Sequence, residues 1–113
     1  MAIKTKRIYE EHSDADGYRV LVDRLWPRGI KKENAHIDLW LKEVAPSNEL
    51  RKWFAHDPEK WKQFQAKYKA ELKDSPALVE LKSAIRANKT LTLLYGAKDE
   101  EHNQAVALKE FLT

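Results

Sequence analysis

The sequence predicts a compact α/β domain built on a short, mostly parallel sheet flanked by helices, and three observations predict it. Val20-Leu21-Val22 is an unbroken apolar run of the kind found in strands covered on both faces. Thr90 to Tyr95 repeats that character, with Gly96 directly behind it for a sharp turn. Between the two lie stretches of helical apolar spacing, two of them opened by a capping residue followed by proline, at Asp57-Pro58 and Ser75-Pro76. Strands separated by helices imply parallel pairing, and 113 residues with 42% apolar content fit one domain spanning 1–113.

Taken in order, Ile3 to Tyr9 alternates apolar and cationic residues and reads as a half-exposed or edge strand. Asp16-Gly17 signals a turn into the strand Tyr18 to Asp23, expected at the sheet centre. Arg24 to Asn34 is a long loop, and long loops in compact domains more often carry function than mere connection. Ile37, Leu39 and Leu41 alternate with polar or aromatic neighbours and suggest a short third strand, although a helical turn fits almost as well. Ser47 is an N-cap for a short helix that places Leu50, Trp53 and Phe54 on one face. The next helix has the stripe Trp61, Phe64, Tyr68, Leu72; the one after it runs through Leu78, Leu81 and Ile85 to a left-handed C-terminal residue at Asn88. After the last strand, Asp99 is expected to cap a helix carrying Glu100 and Glu101 in its first turn and Ala105, Leu108 and Leu112 inward. No repeat, linker or low-complexity segment interrupts this order.

Composition narrows the function classes. Lys and Arg number 21 against 18 Asp and Glu, a net charge of +3 without any block of like charge, which is a thin basis for nucleic-acid binding. No window approaches the length of a membrane span, and the N-terminus lacks a signal-peptide apolar region, so a cytoplasmic protein with no membrane partner is expected. The absence of cysteine excludes disulfides, thiolate nucleophiles and sulfur-ligated zinc. His12, His36, His56 and His102 have no metal-ligand spacing, so neither a metal nor a cofactor is expected.

The densest chemistry lies in Asp23-Arg24-Leu25-Trp26-Pro27-Arg28-Gly29. Here Arg24 and Arg28 can grip an anion through planar forks, with Asp23 orienting a guanidinium and Trp26 as an apolar wall; the plainer reading is an internal ion pair with Trp26 filling core. At the other strand end, Tyr95 to Asn103 offers a phenol, Asp99 and a side-chain amide near a helix start, where free amides attract anions; capping alone also explains these types. Ser47 and Arg51 lie one turn apart, which lets Arg51 reach an anion while Ser47 serves as cap. His56 lacks a nucleophile to serve and reads as structural. Trp40, Trp53, Trp61 and Phe64 interleave with Lys60, Lys62, Lys67 and Lys69 like a stacking platform, yet their spacing is that of a core stripe beside a solvated face.

The segments Val20 to Gly29, Ala45-Pro46-Ser47 with Leu50-Arg51 and Trp53-Phe54, and Thr92-Leu93-Leu94-Tyr95 with Asp99 together resemble the YeaO-like family, a family of uncharacterised bacterial proteins. The resemblance covers nearly the whole chain and implies a small Rossmann-like, three-layer α/β domain. More distant relatives look like carriers of an Asp-x-Arg motif after one strand and cysteines near the last; this chain has Asp23 with Arg24 and Tyr95 there, so thiol catalysis does not carry over. What remains is a binding or regulatory domain, or proton transfer by Asp23, Tyr95 or Asp99. The expected function is binding of a small anionic ligand, a nucleotide or phosphorylated metabolite, by Arg24, Trp26, Arg28, Arg51 and Asn103 at the C-terminal strand loops. The alternative is a nucleic-acid or protein interaction module without catalytic activity, and the arginine loop also suits an oligomer contact.

Overall fold

The computed structural model describes residues 2–113. Four strands, β1 (Ala2–Arg7), β2 (Tyr18–Leu21), β3 (Leu39–Trp40) and β4 (Thr90–Tyr95), form one sheet in the order β1-β4-β2-β3. Every pairing is parallel: Ile3 faces Leu91, Val20 faces both Leu93 and Leu39, and Leu21 faces both Leu94 and Trp40. The interior positions therefore belong to the two apolar runs, β2 and β4, as parallel sheets demand. The third strand is only two residues long, inside the alternating stretch at 37–41.

Helices α2 (Asn48–Phe54), α3 (Trp61–Leu72), α4 (Pro76–Ala87) and α5 (Gln104–Leu112) supply Leu50, Phe54, Phe64, Tyr68, Leu81 and Leu108 to a core shared with Val20, Val22, Leu91 and Leu93 on one sheet face. The expected caps form at Ser47, Asp57 and Ser75, each accepting a hydrogen bond from a first-turn amide, although Asp57 caps a 3-10 turn at Pro58–Lys60 that leads into α3 rather than α3 itself. Asn88 ends α4 in an extended rather than left-handed conformation, because its side-chain amide donates back to the Ala84 carbonyl at 2.8 Å. The last helix also starts later than expected. Asp99 caps a turn instead, accepting from the amides of Glu101 and His102, while extended Asn103 accepts from Val106 N–H and opens α5 at Gln104.

The other face departs from a helical third layer. It is covered by the segment 24–38, whose sole helix, α1 (Lys32–Ala35), is one turn long. Half of this face is apolar, with Ile8, Leu21 and Leu94 under Trp26, Ile30, Ile37 and Trp40. The other half is charged: Lys6 and Arg19 converge on Asp16, and Thr92 donates its hydroxyl to the Asp16 carbonyl at 2.7 Å. Gly17 makes this close approach possible, since a Cβ there would sit 2.3 Å from the Thr90 carbonyl oxygen and φ is +67°. Among the described residues no helix is long and apolar enough to cross a membrane.

Candidate functional site

A cleft of about 380 Å³ opens beyond the C-terminal ends of β2 and β4, the position at which open parallel sheets hold their ligands. Strand β2 ends at Leu21, so Val22 and Asp23 follow as it leaves the sheet, and Asp23 ties three elements together. One carboxylate oxygen accepts from the Gly96 amide at 2.8 Å, just past β4; the other accepts from the side-chain amide of Gln104, the first residue of α5. The Asp23 carbonyl in turn accepts from the Trp40 indole at 2.7 Å. A Cβ at Gly96 would lie 3.0 Å from the Asp23 carboxylate, so any larger residue there would press on it. Burial pushes the Asp23 carboxyl up to about 6, against the lowering effect of the Gly96 and Gln104 hydrogen bonds and the Arg51 charge.

Arg24 lines the cleft with its guanidinium partly committed. One terminal nitrogen donates to the Ala45 carbonyl at 3.1 Å; the other stands 3.8 Å from exposed Glu43. Its Nε is buried and has no hydrogen-bond partner among the described residues. Arg51 and Lys52, exposed on α2, enter the same cleft, and neither is ion-paired among the described residues. His56 joins them through two successive left-handed residues, Ala55 at φ 46° and His56 at φ 56°, that turn the chain after α2. Phe54 and Phe64, stacked with ring centres 4.3 Å apart, give the cleft an apolar wall, and Leu25 stands exposed at its edge.

Of the residues singled out in the sequence, Asp23, Arg24, Arg51 and Asn103 come together here. Trp26 and Arg28 do not, which corrects their expected part in the anion site. The chain turns to the far face after Leu25, where the Trp26 indole donates to the Ile30 carbonyl at 2.7 Å and packs edge-on against Trp40. Arg28 is exposed on that side, its carbonyl held by the Tyr9 hydroxyl at 2.9 Å. Asn103 lines the cleft, but its oxygen caps α5 and its amide donates to the Asp99 carbonyl at 2.9 Å. Ser47 is the cap it was read to be, its hydroxyl donating to Glu71 at 2.5 Å.

The two other proton-transfer candidates stand outside the cleft lining. Tyr95 is buried in the core, and burial, with Glu100 and Glu10 nearby, pushes its phenol above its ordinary value. Burial alone would raise the Asp99 carboxyl, yet hydrogen bonds from the Glu101 amide and the His102 ring and amide outweigh it and hold it low. Lys52, His56 and Gln104 are cleft residues that sequence reasoning passed over as site members. Gln104 becomes legible only once α5 is known to begin there. Among the described residues no three His, Asp or Glu side chains gather as metal ligands.

A family model matches residues 2–113 throughout. The chain belongs to the inactive DUF488-N3 subclade. It is similar to the uncharacterised protein YeaO of Escherichia coli, 44% identical over 112 residues that cover 99% of this chain and 97% of that one. An uncharacterised protein of Mycobacterium tuberculosis is 39% identical over 110 residues, covering 97% and 92%. The YeaO-like resemblance read from the Asp23 to Gly29 string is thereby borne out across the chain. No solved structure matches it.

Proposed function

We propose that this chain binds a small anionic molecule, a nucleotide or phosphorylated metabolite, in the cleft between Asp23 and α2, and does so without turning it over. The observation that carries the reading is convergence: a guanidinium from the loop after β2 and two unpaired cations from α2 line one opening at the strand ends. Arg24 and Arg51 supply forked donors suited to phosphate or carboxylate oxygens, Lys52 adds a mobile charge, and Phe54 with Phe64 offers an apolar surface for a ring. The carbonyl bonds of Arg24 hold its guanidinium in place, so less side-chain freedom is lost on binding.

Binding without turnover rests on the chemistry of the cleft. Its lining contains no serine, threonine, cysteine or tyrosine, which removes hydroxyl and thiol nucleophiles and leaves Asp23, Lys52 and His56 as the lining groups of a type that could attack or move a proton. Asp23 has both oxygens engaged by Gly96 and Gln104, which suits it to hold the cleft together. The description of the subclade as inactive agrees with this reading.

The test is thermal unfolding of the chain with inorganic phosphate, pyrophosphate and adenosine monophosphate, beside Arg51→Ala and Arg24→Ala. At least one anion is expected to raise the midpoint of wild type, as a ligand bound only to the folded state must, and Arg51→Ala to lose the rise. No shift with any of the three anions, or equal shifts in wild type and both variants, would overturn it. Binding that falls by orders of magnitude with modest salt and extends to oligonucleotides would point to the nucleic-acid class instead.

A further inference from the structure

At the opposite end of α5 from the cleft lies a second hollow, of about 530 Å³, walled by α3, the start of α4 and the last residues of α5. Its lining is apolar: Leu72, Leu78, Phe111 and Leu112 give bulk, and Ala66 and Ala70 stand exposed one turn apart on α3. The alanines keep that wall low, so another backbone can come close. Leu78, Phe111 and Leu112 pack on the core while staying partly open to solvent.

Three exposed lysines line the same hollow, Lys69 and Lys73 from the α3 side and Lys82 from α4. None is ion-paired among the described residues. The lining itself holds no carboxylate; of the acidic residues near it in sequence, Glu71 accepts from the Ser47 amide at 3.0 Å and its hydroxyl, Glu110 accepts from the Gln65 amide, and Asp74 lies outside the lining. The hollow thus offers an apolar floor rimmed by three lysines that form no ion pair among the described residues, Lys69 lying 6.0 Å from the centre of the Phe111 ring.

That charge distribution selects the occupant. One carboxylate headgroup needs one cation, whereas acidic residues on both flanks of an apolar helical stripe need cations on both walls, as at the flanking positions of coiled coils. From Ala66 to Leu72 helix α3 advances about 9 Å, nearly the two turns over which a docking helix presents anchors at i, i+3 or i+4, and i+7. We infer that this hollow receives an amphipathic helix of a partner protein that carries acidic residues beside its apolar stripe.

The test is fluorescence anisotropy of the full chain with two labelled synthetic helices sharing one leucine stripe, one flanked by glutamates and one by lysines. The glutamate helix is expected to bind roughly tenfold or more tightly than the lysine helix at low salt. Lys69→Glu with Lys82→Glu should reverse that preference, and Lys69→Gln with Lys82→Gln should flatten it, each variant being checked for folding by circular dichroism. Equal binding of the two helices, no response to charge reversal in a folded variant, or no binding of the glutamate helix overturns the inference. So does charge-dependent binding to phosphatidylglycerol vesicles without peptide binding, or self-association lost in Lys69→Glu; these assign the face to a lipid surface or a second copy.

Discussion

One aspartate–arginine cluster lies on a face of this sheet and another beyond its strand ends, and their carboxyl groups shift in opposite directions. At Asp16 burial would raise the carboxyl, but hydrogen bonds from Lys6, the Ser13 amide and Arg19 outweigh it and hold it below its ordinary value. At Asp23 burial wins and the carboxyl rises to about 6. The difference lies in where the guanidinium donors go. Arg19 is only 2% exposed and spends every group locally, on Asp16 and on the carbonyls of His36 and Ala35 at 2.9 and 3.2 Å. Arg24, next to Asp23 in sequence, turns to the Ala45 carbonyl and leaves its carboxylate neighbour to Gly96 and Gln104. A closed network of this kind is structural; an open one, with donors to spare beside a cleft, is where a ligand gains most.

The comparison breaks most visibly at Arg19. Arg19→Ala leaves Asp16 with Lys6 and the Ser13 amide and two backbone carbonyls unserved, so we expect a loss of about 3 kcal/mol in urea denaturation. Arg51→Ala, on the open side, should move the same midpoint by less than about 0.5 kcal/mol while removing anion-dependent stabilisation. If both variants proved equally destabilising, the division into a closed and an open cluster would fail.

Trp26 sharpens the same contrast. Because it packs on the far face against Trp40 and Leu21, Trp26→Ala is expected to destabilise by about 2 kcal/mol. Anion-induced shifts should persist in it undiminished. Their loss in a folded Trp26→Ala protein would return this indole to the ligand site.

A further contrast is in pH dependence, where the two carboxyls pull in opposite senses. Asp16, held low in the folded state, stabilises fully above about pH 4 and loses that contribution as pH falls through its lowered native value. Asp23 rises from 3.8 to about 6 on folding, so its contribution is full below about pH 4 and is lost as pH climbs through 6. Urea midpoints measured from pH 3 to pH 8 should therefore show a smaller acid-side fall in Asp16→Asn, the remainder coming from Asp99, which is also held low. In Asp23→Asn they should lose the decline between about pH 4 and 6. An unchanged profile in Asp23→Asn would show that its carboxyl is not displaced.

Much of the site's chemistry was legible before the fold was known. Asp23 and Arg24 close an apolar strand, and Arg51 sits one turn into a capped helix, so both features announce themselves locally. The error at Trp26 and Arg28 came from treating seven consecutive residues as one surface. Buried Pro27 and the Trp26 indole bond carry the chain under the sheet instead, and sequence adjacency says nothing of which face a loop chooses. The Asp16 network was missed for a related reason: Asp16-Gly17 has the composition of a turn, and only the pairing of Arg19 with Thr92 across β2 and β4 shows what that turn is anchored to.

The sequence by itself determined the two apolar strands β2 and β4, the helix starts at Ser47 and Ser75, the cap at Asp57, and the class of fold, because apolar period and capping are properties of short segments. Tertiary structure decided the rest. It put β4 beside β2, gave the α5 cap to Asn103 rather than Asp99, and brought Arg24 but not Arg28 into the cleft lining. Those outcomes depend on contacts between residues as far apart as Asp23 and Gln104, whose worth is set by burial and by which donors remain unspent once the chain has closed.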